Sequence, residues 1–495
     1  MFNSSFQFNT DRSVSIEEMY QGDAFVLGRG FTLPSKLYKL DFDRMQNAHV
    51  AITGTSGSGK TTLAKPLIKY YQNRQKVVYV IDPKKDGLKV DGETLFKFTS
   101  RNSEYGLPLF EFDINKENGG PISEAKEIVR LIKKYFLKSA RENQTGVLFQ
   151  LVSDTYTLKG FDDKDDSTWT KGLDIAIPED KQQWLSMLPT MQDLYRNLEL
   201  FTGIYSLGGS SKFLEEHLKC VNYLLKMDEK DNPTSNALEK IAETKNYLAQ
   251  LYKSHLDFIC RHSATTKQKE ISEIIEIPDD ADFSKIDLEF YNDQKVNRVL
   301  ESIKMNIKLM ANSGIFNGNI PPVTRGVNRF DISGLPVDEQ CFFTEVLANR
   351  IDRGLRFRGE YFHLPERYRE KYGKKYDHIL LIDEAQLVMP SGAEAENTSV
   401  GLNRIAAEGR SRGLGLVVLT QSPTNIPKKM LTNIGTKMIL KTESIDEASV
   451  AKRLGITKSL LASAYDTFGV CLINIQKNYE AVALPWVQLE ANSGS

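Results

Sequence analysis

Gly54-Thr55-Ser56-Gly57-Ser58-Gly59-Lys60-Thr61 follows directly on the short apolar run Val50-Ala51-Ile52, and it meets the pattern G-x-x-x-x-G-K-[ST] at every fixed position. The apolar run reads as a buried strand and the residues after the loop as a helix, the setting in which such a loop cradles phosphate. Glycines let the backbone wrap closely, so that successive N–H groups and the N-terminus of the following helix point at one anion. Lys60 is placed to reach the β- and γ-phosphates as a point charge, and the Thr61 hydroxyl to ligate Mg²⁺. The candidate nucleotide contacts are therefore Gly54, Thr55, Ser56, Gly57, Ser58, Gly59, Lys60, Thr61 and Thr62. Pro66 falls near the second turn of the expected helix, so the reading predicts a kink or a late start there.

A second signal lies far downstream. His378-Ile379-Leu380-Leu381-Ile382-Asp383-Glu384-Ala385 is an apolar run of strand length that stops at two adjacent carboxylates, as a buried parallel strand delivering an acid pair to its C-terminal edge would. Asp383 is placed to hold Mg²⁺ through water, and Glu384 to take a proton from the water that attacks the γ-phosphate. Asp and Glu also begin helices, so the pair alone says little. Paired with the loop at Gly54, it says a great deal.

Composition frames these sites. A chain of 495 residues that is 40% hydrophobic can bury a sizeable core. The formal charge of −1 carries no global sign of a polyanion partner, although a ring can line its pore with a few cations while its outside stays neutral. Cys220, Cys260, Cys341 and Cys471 are scattered, as in a reducing compartment. His217, Cys220, Cys260 and His262 lack standard finger spacing, which favours unrelated core and surface residues over zinc ligands. No apolar run approaches membrane-spanning length and Met1 to Arg12 is polar, so the reading is a cytoplasmic protein with no signal peptide and no membrane partner.

Along the chain, a nucleotide-binding core is split by a long insertion. Strands are expected at Ala24 to Leu27, Lys76 to Ile81 and Leu414 to Thr420, with an extended piece at Tyr105 to Phe112. Between about Pro121 and Asn312 the periodicity is helical: Ile128, Leu131, Ile132 and Tyr135 make one apolar face, and Leu218, Val221, Leu224 and Leu225 another. Asp162 to Asp166 and Lys226 to Pro233 read as solvated connections. The expected fold class is α/β, with a RecA-like P-loop core built on a mostly parallel sheet and interrupted by a largely helical insertion. Its expected divisions are a lead-in at 1–47, the core at 48–120 and 313–490, and the insertion at 121–312.

The strand at Leu414 to Thr420 ends in Gln421, a neutral amide delivered to the same sheet edge as the acids, where it is placed to touch the γ-phosphate or orient the attacking water. Before that strand stands Glu408-Gly409-Arg410-Ser411-Arg412-Gly413. A guanidinium at a subunit boundary suits a neighbouring active site, where it neutralises transition-state charge, and Arg410 and Arg412 are the candidates. A helix end that favours cations explains them equally.

His49 to Thr53 running into the phosphate loop, Ile332-Ser333-Gly334-Leu335-Pro336, Leu381 to Ala385, and Glu408-Gly409-Arg410 through Thr420-Gln421-Ser422-Pro423 together resemble the HerA/FtsK superfamily of hexameric DNA-translocating ATPases, and most of all its HerA branch. The likeness covers roughly residues 45–115 and 323–485, while the helical insertion is similar only in position and class. It implies ATP and Mg²⁺ as ligands, Lys60 and Thr61 for nucleotide and metal, Asp383 and Glu384 for metal and base, Gln421 as sensor, and Arg410 as a finger acting in trans. Proteins of this branch open with a β-barrel that helps dock a nuclease, and residues 1–47 are expected to form a reduced barrel or none.

Three functions fit these residues. One is an ATP-driven hexameric translocase on double-stranded DNA, the motor of a repair or antiviral defence complex with a separate nuclease or effector. Another is a traffic ATPase of a conjugation or secretion machine. The third is a non-translocating ATPase scaffold that gates a partner enzyme.

Overall fold

The computed structural model describes residues 14–31, 33, 35–85, 87–101, 103–117, 119–175, 177–206, 220, 239–247, 285–316, 318–358, 376–397, 401–442, 446–465, 469–475 and 478–485. The chain divides into two compact units, Met1–Leu107 with Asn319–Ser495, and Pro108–Gly318.

The first unit is built on one sheet of the strands β1 (Phe25–Gly30), β2 (Leu37–Leu40), β3 (Val50–Thr53), β4 (Val77–Asp82), β5 (Thr94–Thr99), β6 (Gly326–Gly334), β7 (His378–Ile382), β8 (Leu414–Thr420), β9 (Thr436–Ile439), β10 (Val470–Ile475) and β11 (Asn478–Ala483). Their order is β2-β1-β11-β10-β9-β3-β8-β7-β4-β6-β5. From β9 to β5 every pairing is parallel, and from β10 to β2 every pairing is antiparallel. The central strands β3 and β8 are buried along their whole length and β7 at all but its first residue. Strands covered on both faces need continuous apolar runs, which is why Val50-Ala51-Ile52 and Leu414 to Leu419 do not alternate. Terminal β5 does alternate, Thr-Leu-Phe-Lys-Phe-Thr, with Phe96 and Phe98 inward.

The helix Lys60–Asn73 starts at once after the loop and passes through Pro66. The expected late start does not occur. Proline at this position removes a single hydrogen bond, to the Thr62 carbonyl, and Leu63, Leu67, Ile68, Tyr70 and Tyr71 bury a wide apolar face that offsets it. The lead-in packs on this helix, with Phe25 and Phe42 edge-on to Tyr70 at ring-centroid separations of 5.8 and 5.9 Å. It then extends the antiparallel end of the sheet through β1 and β2. The expected extended piece at Tyr105 to Phe112 holds no strand; Pro108 lacks a donor for a ladder there, and the strand lies earlier, at β5.

The described residues of the second unit are largely helical, with long helices at Pro121–Tyr135, Glu142–Leu158, Met191–Ser206 and Gln294–Ala311. Ile128, Leu131, Ile132 and Tyr135 are buried, as their spacing predicts. Leu218, Val221, Leu224, Leu225 and the segment 226–233 lie outside the described residues, as do His217, Cys260 and His262. The acidic run at 162–166 does more than connect. Asp163 accepts from the Ile122 N–H at 3.0 Å in the first turn of the helix Pro121–Tyr135, and Asp162 pairs with Lys285 at 2.8 Å. Among the described residues, no helix is long and apolar enough to cross a membrane.

Candidate nucleotide-hydrolysis site

Because β3, β8, β7, β4 and β6 run parallel, their C-terminal ends reach one edge of the sheet. Register places Thr53 beside Thr420, Val418 beside Ile382, and Ile382 beside Ile81. The loop after Thr53, Gln421 after Thr420, Asp383 and Glu384 after Ile382, and the turn after Asp82 are therefore neighbours by topology. The crevice outside the carboxyl ends of parallel strands is the usual place for a ligand in such sheets.

Gly54 leaves β3 in a crowded place: a β-carbon there would stand 2.5 Å from Ser58 Oγ and 2.9 Å from Leu440 Cβ. Gly59, at φ 94°, turns the chain into the helix in a left-handed conformation that glycine adopts freely. The loop is tied to its surroundings by Gly54 N–H on the Thr420 carbonyl at 3.2 Å and Thr55 N–H on the Lys441 carbonyl at 2.8 Å. Lys60, the first residue of the helix, is buried. It donates to the carbonyls of Gly54 at 2.6 Å and Thr55 at 2.9 Å, so its ammonium sits inside the loop that would hold phosphate. Burial pushes that ammonium below the usual lysine range, while the Glu384 and Asp383 charges pull it back up. Ser56, Gly57 and Thr62 are exposed, and Thr61 is half-buried on the first turn.

Asp383 is 4% exposed. One of its oxygens accepts the Glu384 N–H at 2.9 Å, and Oδ2 has no hydrogen-bond partner. Burial raises this carboxyl above the ordinary range, and the backbone hydrogen bond from Glu384 only partly restores it. A buried carboxylate oxygen without a partner at a phosphate-binding edge suits a hard divalent cation, and Thr61 supplies the hydroxyl. Glu384 stands in the left-handed region at φ 45° and ψ 41°. Its carboxylate meets Lys84 Nζ and Gln386 Nε2. Burial alone would push Glu384 up, but the Lys84 and Gln386 hydrogen bonds and the Lys60 charge hold it below its ordinary value. Gln421 is exposed at the end of β8.

Arg410 and Arg412 are not brought to this edge in their own chain. Both lie on the turn Gly409–Arg412 that enters β8, so a strand of seven residues separates them from Gln421, a span of roughly 23 Å. Arg410 is exposed, and its charge is felt at buried His49, which precedes β3. Arg412 is engaged by Asp352 at 2.8 Å and Glu408 at 2.6 Å.

Sequence reasoning gives no role to Lys84, Gln386 or Arg329. Arg329 on β6 is 1% exposed and reaches Asp82 at 3.3 Å and Glu93 at 2.8 Å. A usable signal is present even so: β4 ends in Asp82 much as β7 leads into Asp383, and adjacent parallel strands deliver their outgoing turns to the same place.

The sheet order and the phosphate loop define a P-loop ATPase fold of the RecA-like kind, with a helical unit inserted. The family model for the central domain of helicase HerA matches residues 32–307, more than half of the 495-residue chain. The chain belongs to that family. The match runs through most of the helical insertion, where the motifs alone suggested likeness only in position and class. A DNA double-strand break repair helicase HerA of Pyrococcus furiosus is 33% identical over 85 residues, which is 17% of this chain and 15% of that protein. Its counterpart in Sulfurisphaera tokodaii is 33% identical over 73 residues, 15% of this chain and 14% of its own length. The matched stretch is thus a small part of either relative. Among solved structures, VirB4 of Thermoanaerobacter pseudethanolicus shares the fold, with a TM-score of 0.50 and 14% identity over 94% of this chain and 99% of that one.

Proposed function

We propose that this protein is an ATP-hydrolysing ring motor that moves double-stranded DNA, assembled as a homo-hexamer and serving a repair or antiviral defence complex with a separate nuclease or effector. The observation that carries the reading is the convergence of the phosphate loop, the Asp383–Glu384 pair and Gln421 on one parallel-sheet edge, with a buried Asp383 oxygen left unpartnered. Family membership supports DNA as the track, because the relatives are named repair helicases.

In this reading the loop amides and Lys60 bind the β- and γ-phosphates. Thr61 and Asp383 hold Mg²⁺, which when bound neutralises phosphate charge. Glu384 accepts the proton of the attacking water, Gln421 orients that water, and Arg410 of a neighbouring subunit faces the γ-phosphate. The segments 48–120 and 313–490 are taken as the motor core and 121–312 as its insertion, near the compact-unit boundaries at Leu107/Pro108 and Gly318/Asn319, and residues 1–47 as a lead-in that adds β1 and β2 to the same sheet.

The test combines binding and turnover. Binding to long duplex should be independent of sequence and weaken steeply with salt, and duplex should stimulate hydrolysis. Glu384→Gln should keep nucleotide affinity and lose about two orders of magnitude in turnover. An assembled oligomer that hydrolyses ATP but ignores duplex would overturn the motor reading in favour of a scaffold or a traffic ATPase.

A further inference from the structure

We propose that Lys84 is a positioning residue that clamps Glu384 in a resting conformation and thereby keeps hydrolysis slow until the ammonium is drawn away; the inference rests on Glu384 as the base. Both oxygens of the Glu384 carboxylate are occupied, Oε1 by Lys84 Nζ and Oε2 by Gln386 Nε2. Each oxygen keeps a second lone pair, but two donors on opposite oxygens fix the plane of the carboxylate, and the ammonium stabilises its charge, so the group is held in one orientation and is a weaker base.

The geometry around the pair separates a fixed stem from a movable tip. Lys84 stands on the turn after β4, next to β7 in the sheet. Asp82 shapes that turn: Oδ1 accepts the Lys84 N–H at 3.0 Å and Oδ2 accepts the Leu88 N–H at 3.0 Å. Arg329, buried and bound to Glu93, braces the same carboxylate. The backbone that carries Lys84 is thus held from below by the sheet. Its side chain, by contrast, is 57% exposed, against 12% for that of Glu384. An ion pair with one exposed partner is weak, so a phosphate oxyanion other than the bound nucleotide's, such as one of duplex DNA, can compete for the ammonium, while nucleotide alone leaves the clamp in place.

Glu384 also carries a stored cost. Its left-handed backbone is kept by the short turn Ala385–Leu387, in which Leu387 N–H donates to the Glu384 carbonyl at 2.9 Å. A non-glycine residue there is strained by about 1 kcal/mol, and strain of that kind gathers at residues that change state.

The experiment measures steady-state hydrolysis by the full-length oligomer without DNA, for Lys84→Ala, Lys84→Met and Lys84→Arg. Removing the ammonium should raise kcat by about threefold or more with KM within about twofold, and the Arg variant, which can clamp, should restore the low rate. A merely structural role predicts the opposite, a fall in kcat. If Lys84→Ala and Lys84→Met both turn over at or below the wild-type rate, the clamp is wrong. Adding Glu384→Gln to Lys84→Ala separates the two ideas: the double variant should be inactive, and rapid hydrolysis by it would remove the base assignment itself.

Discussion

Two buried carboxylates in the first unit are treated in opposite ways. Asp352, on the helix Val337–Arg358, is fully buried and is met by Arg412 at 2.8 Å, Arg404 at 3.1 Å and Arg356 at 3.3 Å. Asp383, at the outgoing end of β7, is almost as buried and keeps one oxygen without a partner. Burying a charge is tolerable only when it is paired and hydrogen-bonded. The incoming side of the sheet meets that condition with guanidinium groups supplied by the chain. At the outgoing side Asp82 is met by Arg329 in the same way, but Asp383 is not, and its open oxygen suits a cation. The same contrast separates Arg412, which is engaged by Asp352 and Glu408, from Arg410, which is exposed.

The largest effect should come from Arg410. A finger in trans is worth about three to five orders of magnitude in turnover, so Arg410→Ala should lose at least about three while folding and nucleotide binding stay near normal. Mixing it with Lys60→Ala, which keeps its finger, should recover part of the activity at mixed interfaces. A mixture shown to co-assemble that recovers nothing would erase the distinction between Arg410 and Arg412.

Asp352→Asn comes next, and its effect lies in stability. The change leaves three guanidinium groups around a neutral amide, at an expected cost of about 3 kcal/mol. Arg412→Ala should cost less, because Arg404 and Arg356 still neutralise Asp352. Thermal unfolding of the nucleotide-free protein reads both. A loss below about 0.5 kcal/mol for Asp352→Asn would show that the cluster is ornamental.

Much of this division is legible in the sequence. The phosphate loop, the acid-bearing strand and the strand to Thr420 are local patterns, each fixed by a few adjacent residues whose chemistry and burial agree. The helix through Pro66 is harder, because a proline signal is local while the buried face of Leu63, Leu67 and Ile68 that overrides it is tertiary. Tyr105 to Phe112 competes with β5 as a strand because both are rich in aromatics; alternation in one and Pro108 in the other tell them apart. Contacts such as Lys84 with Glu384, or Arg329 with Asp82, join residues hundreds of positions apart and need the sheet order, which no single segment carries. Arg410 and Arg412 look alike in sequence because only folding decides which one meets Asp352.

The smallest effect should belong to Asp383, and its sign is the sharpest form of the contrast. Burial raises the Asp383 carboxyl above its unfolded value, so the folded chain takes up a proton here more readily than the unfolded chain does. The folded state is thus favoured as pH falls, and the cost of ionising the buried group sets in as pH rises through the ordinary carboxylate range and is complete above the raised pKa. Asp383→Asn removes that penalty while the side-chain oxygen can still accept the Glu384 N–H. In the absence of nucleotide and Mg²⁺ the variant should be as stable as the wild type or slightly more so at neutral pH, by no more than about 1 kcal/mol. The difference should shrink as pH falls through the raised pKa and vanish below the ordinary carboxylate range. Paired thermal unfolding across that interval measures it. A variant destabilised by several kcal/mol at neutral pH, as expected for Asp352→Asn, would mean that the Asp383 carboxylate is satisfied within the chain, and the cation site assigned to it would have to be given up.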